Sequence, residues 1–77
     1  MNFEIKDNGK TVKCNIVKLF SENNINYIVY TDGTKDLDGD LEIYASRYEI
    51  KNNEYILNPI EFDYEWDLID EKLMENN

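Results

Sequence analysis

Residues 59–77, Pro59-Ile60-Glu61-Phe62-Asp63-Tyr64-Glu65-Trp66-Asp67-Leu68-Ile69-Asp70-Glu71-Lys72-Leu73-Met74-Glu75-Asn76-Asn77, read as one strongly acidic amphipathic helix behind a proline stop. On a 3.6-residue period Phe62, Trp66, Ile69 and Leu73 share one face, while Asp63, Asp67, Glu71 and Glu75 form a ridge on the other. Burying that apolar stripe on a sheet would contribute about 6–12 kcal/mol as an upper bound. The ridge works the other way. Its i, i+4 pairs are like-charged, and Asp70, Glu71 and Glu75 also oppose the helix dipole, each at a cost of a few tenths of a kcal/mol. Such a face is either a solvated surface that favours solubility or a docking surface for a basic protein patch.

Working back from the helix, the rest of the chain carries the two-residue alternation of strands. Phe3 and Ile5 alternate with polar neighbours, as do Val12, Cys14 and Ile16, and Asn8-Gly9 between the two runs is a strong hairpin signal. The alternation breaks at Ile16-Val17 and again at Leu19-Phe20, which implies a bulge or a strand buried on both faces. Ser21 to Asn26 is a polar turn before a third strand, Tyr27 to Thr31. A loop with two glycines and four aspartates, Asp32 to Asp40, leads to a long fourth strand over Leu41 to Ile50. A turn at Lys51 to Glu54 precedes a short fifth strand, Tyr55 to Leu57, ended by Asn58-Pro59. Short polar turns imply antiparallel neighbours, since a parallel pair needs a crossover of a dozen or more residues. The expected fold is therefore α+β: an antiparallel meander of four to five strands within residues 1–58, with one C-terminal helix over about 62–75 packed on one face, all in a single domain, 1–77. The helix is expected to be the lid of the only core, which would leave some tyrosines of the strands on the uncovered face.

Size and charge narrow the function. Seventy-seven residues bury only about 60% of the unfolded surface, which leaves little interior for a substrate cleft. Eight basic residues face seventeen acidic ones, a net charge of −9, and the imbalance is not uniform. Residues 1–30 carry four basic and three acidic residues, and residues 31–77 carry four basic and fourteen acidic ones. Such a surface repels phosphate backbones and anionic lipid, so neither nucleic acid nor membrane is expected as a direct partner. Cys14 is alone and cannot form an internal disulfide or a cysteine-based metal cage. With no apolar run of signal or membrane-spanning length, the expected location is the cytoplasm.

Several segments together resemble a known family: Phe3-Glu4-Ile5-Lys6-Asp7, Tyr27-Ile28-Val29-Tyr30-Thr31-Asp32, Tyr44-Ala45-Ser46-Arg47-Tyr48, and Pro59-Ile60-Glu61 followed by Asp63, Glu65 and Trp66. The chain resembles the YrzB-like small acidic proteins of low-GC Gram-positive bacteria, domain of unknown function 1292, over nearly its whole length. The resemblance implies a bacterial cytosolic protein with no assigned activity. The chain departs from the family at Phe62, where relatives tend to carry Thr as an N-cap with Glu65 as its capping-box partner. Phe62 has no oxygen with which to cap, so the cap is expected to move to Asp63, or the first turn to be closed by backbone and water alone.

Residues with chemical potential are few. Asp36, Asp38, Asp40 and Glu42 lie close together, but counting from Asp36 the sixth position is Leu41 and the twelfth is Arg47. The glycine and bidentate acid of a calcium loop are therefore missing. There is no histidine, Cys14 falls on the apolar parity, and Ser21 and Ser46 lack a base, so no catalytic, cofactor or metal residues are expected and the chain is not expected to be an enzyme. Six Tyr, three Phe and one Trp without a cationic groove point to cross-strand packing rather than base stacking. The expectation is a non-enzymatic protein-interaction module, a monomer or weak homodimer, which presents Asp63, Asp67, Asp70, Glu71 and Glu75 to a basic protein partner. The alternative is a domain responsive to a divalent cation or small ligand through the Asp36 to Glu42 loop.

Overall fold

Asparagine pairs reverse the chain at two of its corners. Asn23 and Asn24 have φ of 55° and 64°, and Asn52 and Asn53 have 51° and 66°. Two consecutive left-handed residues make a type I′ turn, whose twist matches that of the strands it joins, and Asn tolerates that region better than other side chains with a Cβ. The computed structural model describes residues 2–7 and 10–75. Its strands are β1 (Asn2–Asp7), β2 (Lys10–Glu22), β3 (Ile25–Thr31), β4 (Tyr44–Lys51) and β5 (Glu54–Asn58), followed by one helix, α1 (Asp63–Met74). The strands pair in chain order β1-β2-β3-β4-β5, every neighbour antiparallel. The α+β meander with a C-terminal helix is thus the fold, with all five strands present and the sheet curled until it is nearly a barrel.

Local boundaries differ from the sequence reading in instructive ways. The turn between β2 and β3 is only Asn23-Asn24, so β3 begins earlier than expected, at Ile25. The fourth strand starts at Tyr44 and not at Leu41, because residues 41 and 42 close the preceding loop: Leu41 bridges Lys35, and the Thr31 hydroxyl donates to the Glu42 carbonyl at 2.7 Å. β1 and β2 pair from Asn2↔Asn15 to Asp7↔Lys10 as the alternation requires, and the Asn8-Gly9 turn lies outside the described residues. Both explanations offered for broken parity in β2 hold, each at its own site. Val17 is the extra residue of a bulge between Ile16 and Lys18. Leu19 and Phe20 then face opposite sides, each packed on a different cluster.

Two apolar clusters, one on each side of the sheet, replace the expected single core. Inside the curl, Phe3, Cys14 and Ile28 are buried, with Ile5, Val12, Ile16, Tyr30, Tyr48 and Tyr55 packed around them. Among the described residues no helix covers this side, since the sheet covers it by bending: Phe3 meets Tyr30 edge-on at 5.4 Å and reaches Tyr55 at 5.2 Å between ring centroids. An exposed strip of tyrosines on an open face is therefore not formed, because curvature turns Tyr30, Tyr48 and Tyr55 into the interior. On the outer side, Tyr27, Val29 and Ile69 are buried with Phe20, Ala45, Ile60 and Leu68 beside them, and this is the cluster that α1 closes.

α1 is rotated relative to its apolar stripe. Its inward side is Glu65, Leu68, Ile69 and Lys72, whereas Phe62, Trp66 and Leu73 remain 52%, 47% and 38% exposed. At about 100° per residue the inward direction lies roughly 80° from the stripe of Phe62, Trp66, Ile69 and Leu73. Only Ile69 of the expected four is buried. The reason lies on the sheet, where Arg47 and the Tyr27 hydroxyl occupy the outer face and need an acceptor. Turning Trp66 inward would bury both without one, at a cost of several kcal/mol. Leaving three apolar side chains half exposed costs about 2–4 kcal/mol at the usual 1.5–3 per full burial.

Candidate functional site

The chemistry of the helix begins at its first turn. Phe62 is the N-cap, extended at φ −123° and ψ 145°, and its carbonyl accepts the Glu65 N–H at 3.0 Å. With no acceptor on the Phe62 side chain, only one half of a capping box can form: Glu65 Oε1 accepts the N–H of Phe62 at 3.0 Å and that of Glu61 at 3.2 Å. This corrects the sequence expectation at both points. The cap does not move to Asp63, and the first turn is closed by a carboxylate rather than by backbone and water alone.

That carboxylate is the most tightly held group among the described residues. Glu65 has no exposed surface. Arg47 Nε donates to Oε2 at 2.8 Å and Nη2 donates to Oε1 at 2.7 Å, a bidentate pair. The Tyr27 hydroxyl donates to Oε2 at 2.6 Å, and a further ion pair joins Arg47 Nη1 to Glu61 Oε2 at 3.2 Å. The Arg47 bonds, aided by Tyr27 and the two backbone N–H groups, hold the Glu65 carboxyl down at about 2 even though burial acts in the opposite direction. Burial, then the bond to Glu65, pushes the Tyr27 phenol up to about 12. Glu65 is therefore an acid withdrawn from the surface, unlike the exposed acids of the ridge. An acid ionised at neutral pH, sealed from solvent and surrounded by five donors has no position open to a substrate, so the cluster locks the helix onto the sheet.

Sequence reasoning missed this cluster, although its signals were present. Glu65 lies four residues before Ile69 on the helix, and Arg47 is the chain's single arginine, placed mid-strand. An acid on the inward side of a helix and a guanidinium on a sheet are each improbable alone and mutually satisfying together.

The five residues expected to form the docking surface all point outward. Asp63, Asp67, Asp70 and Glu71 are exposed along one side of α1, and Glu75 lies at its end within 3.6 Å of Lys72 Nζ. Lys72 also approaches Glu22 at 3.8 Å and lies 6.0 Å from the centroid of the Phe20 ring, and its charge offsets part of the negative charge of the last turn. The more N-terminal acids have no such counter-ion among the described residues. Beside them lie the half-exposed rings of Phe62 and Trp66, and Tyr64 stacks on Phe62 at 5.7 Å. The rotation of the helix has thus set an apolar stripe against an acidic ridge at the surface.

The aspartate loop is organised by its own backbone. Asp36 Oδ1 accepts the N–H of Asp38 at 2.9 Å and of Asp40 at 3.0 Å, and Asp32 Oδ1 accepts that of Thr34 at 2.9 Å. These are Asx turns, a sufficient reason for aspartate at Asp32 and Asp36. Among the described residues no three His, Cys, Asp or Glu side chains converge on a common point. Cys14 is buried, and burial raises its thiol pKa. No described helix is long and apolar enough to cross a membrane.

Residues 7–76 match the family described as "Protein of unknown function (DUF1292)". The chain belongs to this family. UPF0473 proteins of Bacillus pumilus and Bacillus velezensis are each 33% identical to this DUF1292 member over 73 residues, which span 90% of this chain and 77% and 78% of those relatives. The likeness read from its strands and helix is thereby borne out. No solved structure matches it significantly.

Proposed function

We propose that this DUF1292 member is a non-enzymatic protein-interaction module of the cytosol, acting as a monomer or weak homodimer, whose helix face of Asp63, Asp67, Asp70, Glu71 and Glu75 docks a basic region of another protein. The observation that carries the reading is the juxtaposition of that ridge with the half-exposed Phe62 and Trp66. Buried aromatic anchors supply most of the energy of a protein interface, and rim charges choose the partner and speed the encounter. A purely solubilising face would gain nothing from a tryptophan beside its carboxylates. The sealing of Glu65, whose carboxylate is the strongly acid-shifted one, supports a role other than catalysis.

Affinity capture from the protein's own cell at low and high salt tests this reading. The expected result is a basic partner retained at low salt, released at high salt, and not retained by Asp63→Lys/Asp67→Lys/Glu71→Lys. Recovery of no salt-sensitive partner, or equal recovery with the variant, would refute it.

A further inference from the structure

In a five-stranded antiparallel meander the first and last strands run the same way, so β1 and β5 are parallel to each other. Closing the barrel by joining them directly would require a parallel ladder in an otherwise antiparallel sheet. One additional strand running opposite to both would close it without that mismatch. The interior is already drawn together at this seam, where the Phe3 and Tyr55 rings meet at 5.2 Å, yet the two strands remain the unpaired ends of the sheet.

Between them runs an open groove of about 790 Å³, lined by residues 3–5 of β1 and 54–57 of β5, with Thr11 and Asn53 at the margin. Consecutive residues of a strand point to opposite faces, so a groove touched by Phe3 together with Glu4, and by Tyr55 together with Ile56, runs along strand edges and not across a face. We propose that this groove accepts one extended segment of a partner protein, alternating apolar and basic residues, as the sixth strand of the barrel.

On the inward parity lie Phe3, Ile5, Tyr55 and Leu57, an apolar floor for every second residue of the guest. On the outward parity lie Glu4 and Glu54, both exposed, one on each side of the gap, with Lys13 of β2 and Lys51 of β4 opposite them on the inner side, so that each carboxylate keeps its gap-facing side for the guest. Basic side chains on the outward face of the guest would face one of these carboxylates on each flank, as cross-strand pairs. The backbone supplies the rest. The Asn52-Asn53 turn makes Lys51↔Glu54 a hydrogen-bonded pair, and the alternation of the antiparallel ladder then leaves the N–H groups of Tyr55 and Leu57 directed away from β4 into the gap. Strand addition at such an edge draws affinity from the main chain and specificity from alternate side chains. A second copy of this chain is the poorer guest, since each copy carries a net charge of −9. The seam is separate from the acidic ridge of α1, and this inference does not rest on the ridge.

The test uses the intact protein and a synthetic peptide of about ten residues alternating Lys and Val, a length that covers one strand edge. Backbone resonances are followed by NMR with amide hydrogen exchange. The expected result is saturable binding that weakens with salt, with exchange at Tyr55 and Leu57 slowed by about tenfold or more. Glu4→Lys/Glu54→Lys should weaken the basic peptide about tenfold and acquire binding to a Glu/Val peptide that the unaltered protein rejects, a gain that a misfolded variant would not give. The proposal is overturned by the absence of saturable binding, by shifts confined to α1, or by unchanged affinity in the double variant. Protection of Tyr55 and Leu57 in a peptide-free dimer would also overturn it, by assigning the groove to a second copy.

Discussion

Replacing Glu65 by Gln keeps the shape of the side chain and removes its charge, so the variant isolates what the buried carboxylate does. The folded pKa of Glu65 is about 2 against an ordinary value of 4.5, and the group is fully buried. A carboxyl whose pKa is depressed by folding adds stability that is fully present above the unfolded value and is lost as pH falls through the folded one. The size of the shift corresponds to about 3 kcal/mol. A domain of this length has a total stability of about 4–12 kcal/mol, so Glu65→Gln removes a quarter or more of it. The amide also presents N–H groups to the Arg47 guanidinium, where two donors face one another. Urea unfolding followed by far-UV circular dichroism, repeated at steps from pH 7 to pH 2, measures the gap between parent and variant. It should be about 3 kcal/mol at pH 7, hold to about pH 5, and shrink between roughly pH 4.5 and pH 2 as the parent's carboxyl protonates. A gap below about 1 kcal/mol at pH 7, or one that stays constant down to pH 2, would refute the reasoning.

Other consequences of the structure are accessible to simple assays. Buried and raised in pKa, Cys14 should react with a thiol reagent only when the domain opens, so its labelling rate should rise with urea in step with unfolding, and rapid labelling of the native protein would contradict its placement. Asn53→Val forces a β-branched residue into a left-handed position with φ of 66° and should cost about 1–2 kcal/mol by thermal melting, whereas Asn53→Gly should be neutral or better. Asp67→Lys turns two like-charged i, i+4 pairs, with Asp63 and Glu71, into attractive ones. It should raise stability by about 0.5–1 kcal/mol at low salt while weakening capture of a basic partner, a trade of stability against binding that a merely solvated face would not show.

The fold was legible because its signals were local. Alternation, Asn-rich turns and the proline before the helix each act within a few residues, and together they specify a meander followed by a helix. The curl of the sheet was not legible, because it arises from cumulative twist, the bulge at Val17 and the meeting of Phe3 with Tyr55, partners far apart in the chain. Periodicity also misplaced the inward side of α1. A hydrophobic pattern weighs Trp66 above Glu65, while the folded molecule weighs the unmet needs of Arg47 and Tyr27 on the opposing strands, which no window over the helix contains. The acidic ridge was readable from spacing alone. Its neighbourhood was not, since the exposure of Phe62 and Trp66 follows from the rotation that Glu65 imposes.

Helix rotation therefore connects the interior to the proposed docking surface: the buried carboxylate sets the angle at which the acids and aromatics meet solvent. The measurement that bears most directly on this account is calorimetric titration of the captured partner against the unaltered protein, Asp63→Asn/Asp67→Asn/Glu71→Gln, and Phe62→Ala/Trp66→Ala, each at low and high salt. The account predicts that neutralising the ridge weakens binding about tenfold or more and flattens its salt dependence. Removing the two rings should weaken binding by a comparable factor and leave the salt dependence intact. Affinities within about twofold of the parent for both variants would contradict it.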